Sequence, residues 1–240
     1  MQKILELQER VKTLQALGYE LLQSDEAVFS VDAYVQRHWA PKGNPIRKDC
    51  RWNNARPVVV FGVISPTRGV VHWHFGWSSF TADDICDALE EVRAKIGAGV
   101  KLAMMWDNAQ IHRAKKVKKL IATPEVDIEP VWNVAARPEL ATVGQEQCWA
   151  RLKFIYRSHV DRYKALNQPF NHMGLVQSVV GHITDEYAKR LAAHSIPAVM
   201  AAQPIAPLPN EQMRDEFGRQ YVMHSPRKQD VGELNFATFD

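Results

Sequence analysis

Cysteine is scarce. The 240-residue chain holds three, Cys50, Cys86 and Cys148, far apart and without a Cys-x-x-Cys pair, so buried free thiols are expected rather than a disulfide framework or a zinc knuckle. Long apolar runs are missing too. The longest, Pro57 to Ile64 and Val100 to Trp106, fall far short of the roughly 20 residues a membrane-spanning helix needs. Met1 to Leu17 mixes Lys3, Glu6, Glu9, Arg10 and Lys12 among its apolar residues. It lacks the apolar core of a secretory signal, and an intracellular location is expected. Net charge is small: 30 Lys and Arg against 27 Asp and Glu give +3, too weakly basic to argue for nucleic acid by itself. What is present is ordinary globular composition, 46% hydrophobic and 24% charged, enough for one substantial core, or one core with a small helical appendage, and one main domain is expected. Charge is segregated locally. His112 to Lys119 carries Arg113, Lys115, Lys116, Lys118 and Lys119 with no acid, whereas Thr81 to Ile96 carries Asp83, Asp84, Asp87, Glu90 and Glu91 against two bases.

Ile4, Leu7, Val11, Leu14 and Leu17 recur at helical steps, so residues 3 to 17 read as a helix with one apolar face, ended by Gly18. From Tyr19 the chain reads as a strand to Asp25, with the acid at its end and Ala27-Val28-Phe29 either extending it or turning away. Residues 40 to 57, rich in Pro, Gly and Asn, form a connection. Pro57 to Ile64 and Val70 to Trp77 are strand-like runs flanking Ser65-Pro66-Thr67-Arg68-Gly69, which predicts a hairpin. Thr81 precedes Asp84 by three, a capping-box start for a helix that Gly97 and Gly99 stop. A strand over Val100 to Asp107, a helix over His112 to Ala122, a strand over Val126 to Trp132 and a helix over Gln145 to Tyr156 follow. One more amphipathic helix carries Val176, Val179, Ile183, Tyr187 and Leu191. Three hairpin-joined strands followed by alternating helices and strands predict an α/β, ribonuclease H-like mixed sheet flanked by helices, with a C-terminal helical extension. The expected divisions are an N-terminal helix (1–18), the catalytic domain (19–160), the helical extension (161–209) and a loosely held tail (210–240).

Three acids stand out: Asp25, Asp107 after the apolar Met104-Met105-Trp106, and Glu146 at the start of an amphipathic stretch. With Asp25 and Asp107 at the ends of neighbouring strands, their carboxylates could share a divalent ion, with Glu146, water and substrate completing its ligands. Oxygen-only ligation suits Mg2+ or Mn2+. Two such ions about 4 Å apart activate the attacking oxygen and stabilise the leaving oxygen of a phosphodiester displacement.

The surrounding motifs carry a resemblance. Asp107-Asn108-Ala109-Gln110-Ile111-His112 is similar to the second-acid motif of mariner-superfamily DDE transposases, and Ser24-Asp25-Glu26-Ala27-Val28-Phe29 to the first. His38-Trp39-Ala40-Pro41-Lys42-Gly43 resembles the Trp-x-Pro-x-Gly segment that follows it, and Pro138-Glu139-Leu140 with Glu146-Gln147-Cys148-Trp149-Ala150-Arg151-Leu152-Lys153 the third-acid region. The resemblance, over roughly residues 19 to 157, implies Asp25, Asp107 and Glu146 as metal ligands, magnesium dependence, and cutting and joining of transposon DNA ends by a homodimer. One departure stands: the segment between Leu140 and Glu146 is two residues longer than the family pattern and lacks its Asn. Glu139 is therefore the reserve third acid, and a transposase-derived DNA- or protein-binding protein without catalysis is the alternative reading. A general ribonuclease H shares the fold but explains the motifs less well.

Other candidates are weighed by position. Asn108, His112, Arg113, Lys115, Lys116, Trp39 and Lys42 are candidates for supporting the site or touching DNA, while His112 also reads as a plain helix-start residue. Glu26 should face away from Asp25, as a surface acid or salt-bridge partner. His72 and His74 share a strand face and could bind metal, but with no third ligand nearby in sequence a core or surface role is favoured. Only about 18 residues precede the first catalytic strand. Helix-turn-helix recognition of transposon ends is therefore expected from a separate chain or a missing region. The protein is expected with DNA, in nucleus or nucleoid.

Overall fold

The computed structural model describes residues 2–31, 55–134 and 143–201, together with two short strands at 213–214 and 220–221. It divides into two units, Met1–Gln203 and Pro204–Asp240. In the second, β6 (Met213–Arg214) pairs antiparallel with β7 (Gln220–Tyr221). Everything else below belongs to the first. Trp39, Lys42, Cys50, Trp52 and Glu139, most of the 40–57 connection and nearly all of the 210–240 tail lie outside the described residues.

Helix α1 (Gln2–Ala16) buries Ile4, Leu7, Val11 and Leu14, the face its apolar spacing predicts. Gly18, at φ +78°, ends it. The Gly18 N–H donates to Gln15 O (3.0 Å) and the Tyr19 N–H to Leu14 O (2.9 Å), while Tyr19 packs into the cluster that holds Leu14. This pattern satisfies the last carbonyls of the helix and needs a left-handed residue, hence Gly.

The chain then enters a five-stranded sheet of order β3-β2-β1-β4-β5. Strand β1 (Glu20–Phe29) runs antiparallel to β2 (Val58–Ser65), which runs antiparallel to β3 (Gly69–Trp77). On its other side β1 runs parallel to β4 (Leu102–Trp106), and β4 parallel to β5 (Ile128–Trp132). Every residue of β2 is buried, which its unbroken apolar run requires of a strand covered on both faces. Alternation along β4 assigns the faces. Leu102, Met104 and Trp106 pack with α2 (Ala82–Ile96) and α3 (Lys115–Ile121), whereas Ala103 and Met105 pack with α1. On the α1 side, further along the sheet, α4 (Val143–Ala165), α5 (His172–Val180) and α6 (Asp185–Ala201) cover Ala27, Phe29, Val60 and Ile64 with Trp149, Leu152, Tyr156 and Val176. The result is the ribonuclease H-like α/β sheet the element order predicts.

The hairpin and the capping box are as predicted: Thr81 N donates to Asp84 Oδ2 (2.7 Å), and Asp84 N to Thr81 Oγ1 (3.3 Å). Other expectations are resolved or corrected. Of the two readings left open for Ala27-Val28-Phe29, the extension holds: β1 continues past Asp25 to Phe29, because Asp25 to Phe29 pair in register with Gly62 to Val58 of the hairpin. Helix α3 starts at Lys115, not at His112, whose side chain is turned inward and buried. The amphipathic stretch from Val176 to Leu191 is two helices. Gly181 caps the first, and Thr184 Oγ1 starts the second by accepting from Tyr187 N (3.2 Å). Helix α4 also runs well past the expected Tyr156.

Candidate active site

Strands β1 and β4 pair up to Gln23 and Met105. Continued by two residues, that register sets Asp25 level with Asp107. Asp25 faces α4, where Trp149 Nε1 donates to its Oδ2 at 3.1 Å. Burial, the neighbouring Glu26 charge and then the charges of Asp107 and Glu146 raise the Asp25 carboxyl from 3.8 to about 7, against one lowering backbone hydrogen bond. Asp25 thus feels the charge of the other two acids singled out in the sequence. Glu146 is exposed in the first turn of α4, and Trp149 lies one turn further along the same face.

Asp107 has a different environment. Its Oδ1 accepts from Ala109 N (2.9 Å) and from His112 Nδ1 (2.8 Å). The His112 hydrogen bond, outweighing burial, holds its carboxyl below the usual value. His112 Nε2 meets Glu26 Oε1 at 2.6 Å. Burial disfavours the charged ring, but hydrogen bonds to Asp107 and Glu26 prevail and lift His112 to about 9. With a carboxylate against each ring nitrogen, the raised value favours the imidazolium form, while Glu26, Asp107 and His112 also offer ligand atoms within 4.8 Å of one another. His112 joins β1 to the loop after β4. Glu26 is therefore the salt-bridge partner that strand alternation allowed.

Asn108 Nδ2 donates to Asn133 O at 2.7 Å and its Oδ1 accepts from Arg113, whose guanidinium lies 5.0 Å from the Trp132 ring centre. These residues tie the loop after β4 to that after β5. Lys115 is exposed, while Lys116 Nζ is bound to Asp83 of α2 at 2.5 Å, so the acidic helix engages the basic one. Cys86 and Cys148 are buried free thiols, with burial pushing Cys148 up to about 12.

Three contributors escaped the sequence reading. Lys153, two turns beyond Glu146, is lowered by burial and by Arg157, while the Asp25 charge opposes that fall. Gly62 pairs directly across from Asp25. A Cβ there would lie 2.2 Å from Gln145 Nε2, 2.4 Å from the Trp73 ring and 2.9 Å from the Trp149 ring. Gln145 is fully buried beside that glycine, and neither its Nε2 nor its Oε1 has a hydrogen-bond partner among the described residues. Helical spacing from Glu146 could have flagged Lys153; nothing in the sequence pairs Gly62 with α4.

A mixed five-stranded sheet of this order, with helices on both faces, is the ribonuclease H-like fold. The chain belongs to the DDE superfamily endonuclease family, whose model matches residues 20–167. A search of curated proteins finds no match. Among solved structures it is similar to the Mos1 strand transfer complex, with 17% identity and TM-score 0.58 over 82% of this chain and 57% of that one. It is also similar to the Mos1 mariner paired end complex with Mn, with 15% identity and TM-score 0.57 over 83% and 60%. The Mos1 transposase catalytic domain with raltegravir and Mg gives 15% identity and TM-score 0.52 over 82% and 88%. At these identities the likeness is one of fold. The chain spans under two thirds of the length of the chains in the first two complexes.

Proposed function

We propose that this chain is the catalytic domain of a DNA transposase, hydrolysing phosphodiester bonds at transposon ends and joining the freed strands to target DNA. The observation that carries the reading is the placement of Asp25 on β1, held by Trp149 of α4 at 3.1 Å and beside the loop that follows β4 and carries Asp107, where burial and the charges of Glu26, Asp107 and Glu146 raise its carboxyl to about 7. Such a cluster is costly without a cation. Its hard carboxylate oxygens fit Mg2+ or Mn2+, the two ions named in solved Mos1 complexes. In this reading Asp25, Asp107 and Glu146 hold two ions. When bound, these would activate the attacking oxygen and stabilise the leaving one.

The chain's own residues do the positioning. His112 and Ala109 occupy Asp107 Oδ1, leaving Oδ2 to face the site, and Trp149 fixes Asp25 Oδ2, leaving Oδ1. Glu26 compensates the His112 charge, so Asp107 is oriented without being neutralised. In this reading Lys153 and the exposed Lys115, Lys118 and Lys119 would meet DNA phosphates, contacts that position DNA without reading its sequence. Reading of the transposon ends is assigned to a separate chain or a further helix-turn-helix segment, and synapsis of two ends to a homodimer.

The test is direct. With Mg2+ or Mn2+, the protein should nick and join duplexes carrying the element's ends, and Asp107→Ala should lower the rate at least a thousandfold. Unchanged activity in that variant would refute the site. DNA binding without any metal binding by calorimetry would instead favour a transposase-derived binding protein.

A further inference from the structure

A second polar cluster sits on the opposite side of the sheet from Asp25. Strand β3 carries a bulge: Val63 pairs with His72 and Ile64 with Val70, so Val71 is an extra residue. Val71 packs on the α2 side, and Trp73 and Phe75 on the α4 side. His72 and His74 therefore both face α2. Along α2, Ala88, Glu91 and Lys95 recur at helical spacing on the face toward β3. His72 Nε2 lies 3.0 Å from Glu91 Oε2, and the rings of His72 and His74 are 6.1 Å apart. His72, His74 and Glu91 each offer a ligand atom within 4.8 Å of the others.

Two observations go beyond proximity. His72 is only 4% exposed, and its Nε2, although close to Glu91, is angled so that it makes no hydrogen bond and has no other partner among the described residues. A buried polar atom is seldom left in that state. The histidine spacing is also the one that brings two side chains to one face of a strand, while the carboxylate arrives from the helix that covers it.

We infer that His72, His74 and Glu91 form a binding site for a zinc-like divalent transition cation, separate from the carboxylate centre. Two imidazoles and one carboxylate are a three-ligand zinc set with a position left for water, whereas magnesium favours oxygen ligands alone. Glu91 is about half exposed, so solvent can supply the fourth ligand. Lys95 Nζ lies 3.2 Å from His72 Nδ1 and 3.3 Å from Val71 O. Metal ligation by Nε2 places the ring proton on Nδ1, so Lys95 gives up that contact and keeps the Val71 carbonyl. The ion would then clamp the edge strand, at its bulge, to α2.

The experiment uses the tag-free, chelator-stripped full chain, titrated with zinc chloride by calorimetry and followed by thermal denaturation. Wild type should bind one zinc at a saturable site and melt at a higher temperature with zinc. Glu91→Gln, at an exposed helix position, and His74→Asn should each weaken zinc binding at least tenfold, while Asp107→Asn leaves this site unchanged. Lys95→Met should bind zinc more tightly. Absence of saturable zinc binding in wild type, or wild-type affinity in Glu91→Gln with its helical signal intact, would overturn the inference. So would loss of the zinc site in Asp107→Asn with retention in Glu91→Gln, which would place the ion at the carboxylate centre.

Discussion

Asp25 and His112 pull the molecule in the same direction with pH. The Asp25 carboxyl rises from 3.8 to about 7, so the folded state favours its protonated form. Its stabilising contribution is full below the lower value and is lost as pH climbs through the upper one. His112 rises from 6.5 to about 9. Its contribution is full below 6.5 and is lost as pH climbs through 9. Together these two contributions are lost between about pH 4 and about pH 9. The melting temperature of the metal-free protein should fall most clearly above pH 6.5, where the opposing acid-side effect of His72 has ended. Under the proposed role of Asp25 as a metal ligand, magnesium affinity should rise with pH through about 7 and then level off. Calorimetry at three pH values checks this, and a pH-independent affinity would sink the role given to Asp25. His72 acts on the acid side: burial and Lys95 depress it to about 4, so its contribution is lost as pH falls from 6.5 through 4.

Elements set how far such side chains can be used. Helix α4 delivers Glu146, Trp149 and Lys153 to β1 only because β2 has no side chain at Gly62, where Gln145 and Trp149 approach the backbone. Gly62→Ala should push α4 outward, costing about 1–3 kcal/mol by overpacking and loosening the Trp149 hydrogen bond to Asp25. The expected readouts are a lower denaturant midpoint and slower metal-dependent cleavage; normal values for both would mean the helix can yield without cost. Periodicity made α1, α2 and the β2–β3 hairpin legible in the sequence, because each buries one face at a regular spacing. It misjudged α3, since His112 looks like a helix start until its ring is seen inserted between Asp107 and Glu26. It also merged α5 with α6, because Ile183 keeps the apolar rhythm across the Gly181 break.

At the scale of the whole chain, Met1–Gln203 is a unit with its own cores and Pro204–Asp240 a separate one. A chain ending at Gln203 should keep its melting temperature within a few degrees and its magnesium affinity within about twofold; collapse of either would show that the first unit does not stand alone. The order of elements, the mixed sheet and the candidacy of Asp25, Asp107 and Glu146 were determined by the sequence itself, through alternation, helical spacing and short motifs. Those signals are local, and local spacing fixes which face a residue occupies. Only the tertiary structure decided what each face meets. It joined Glu26 to His112 across 86 positions, set Gly62 beneath α4, and brought Glu91 to His72. Those partners depend on strand order, register and one bulge, which are properties of the packed sheet rather than of any segment within it.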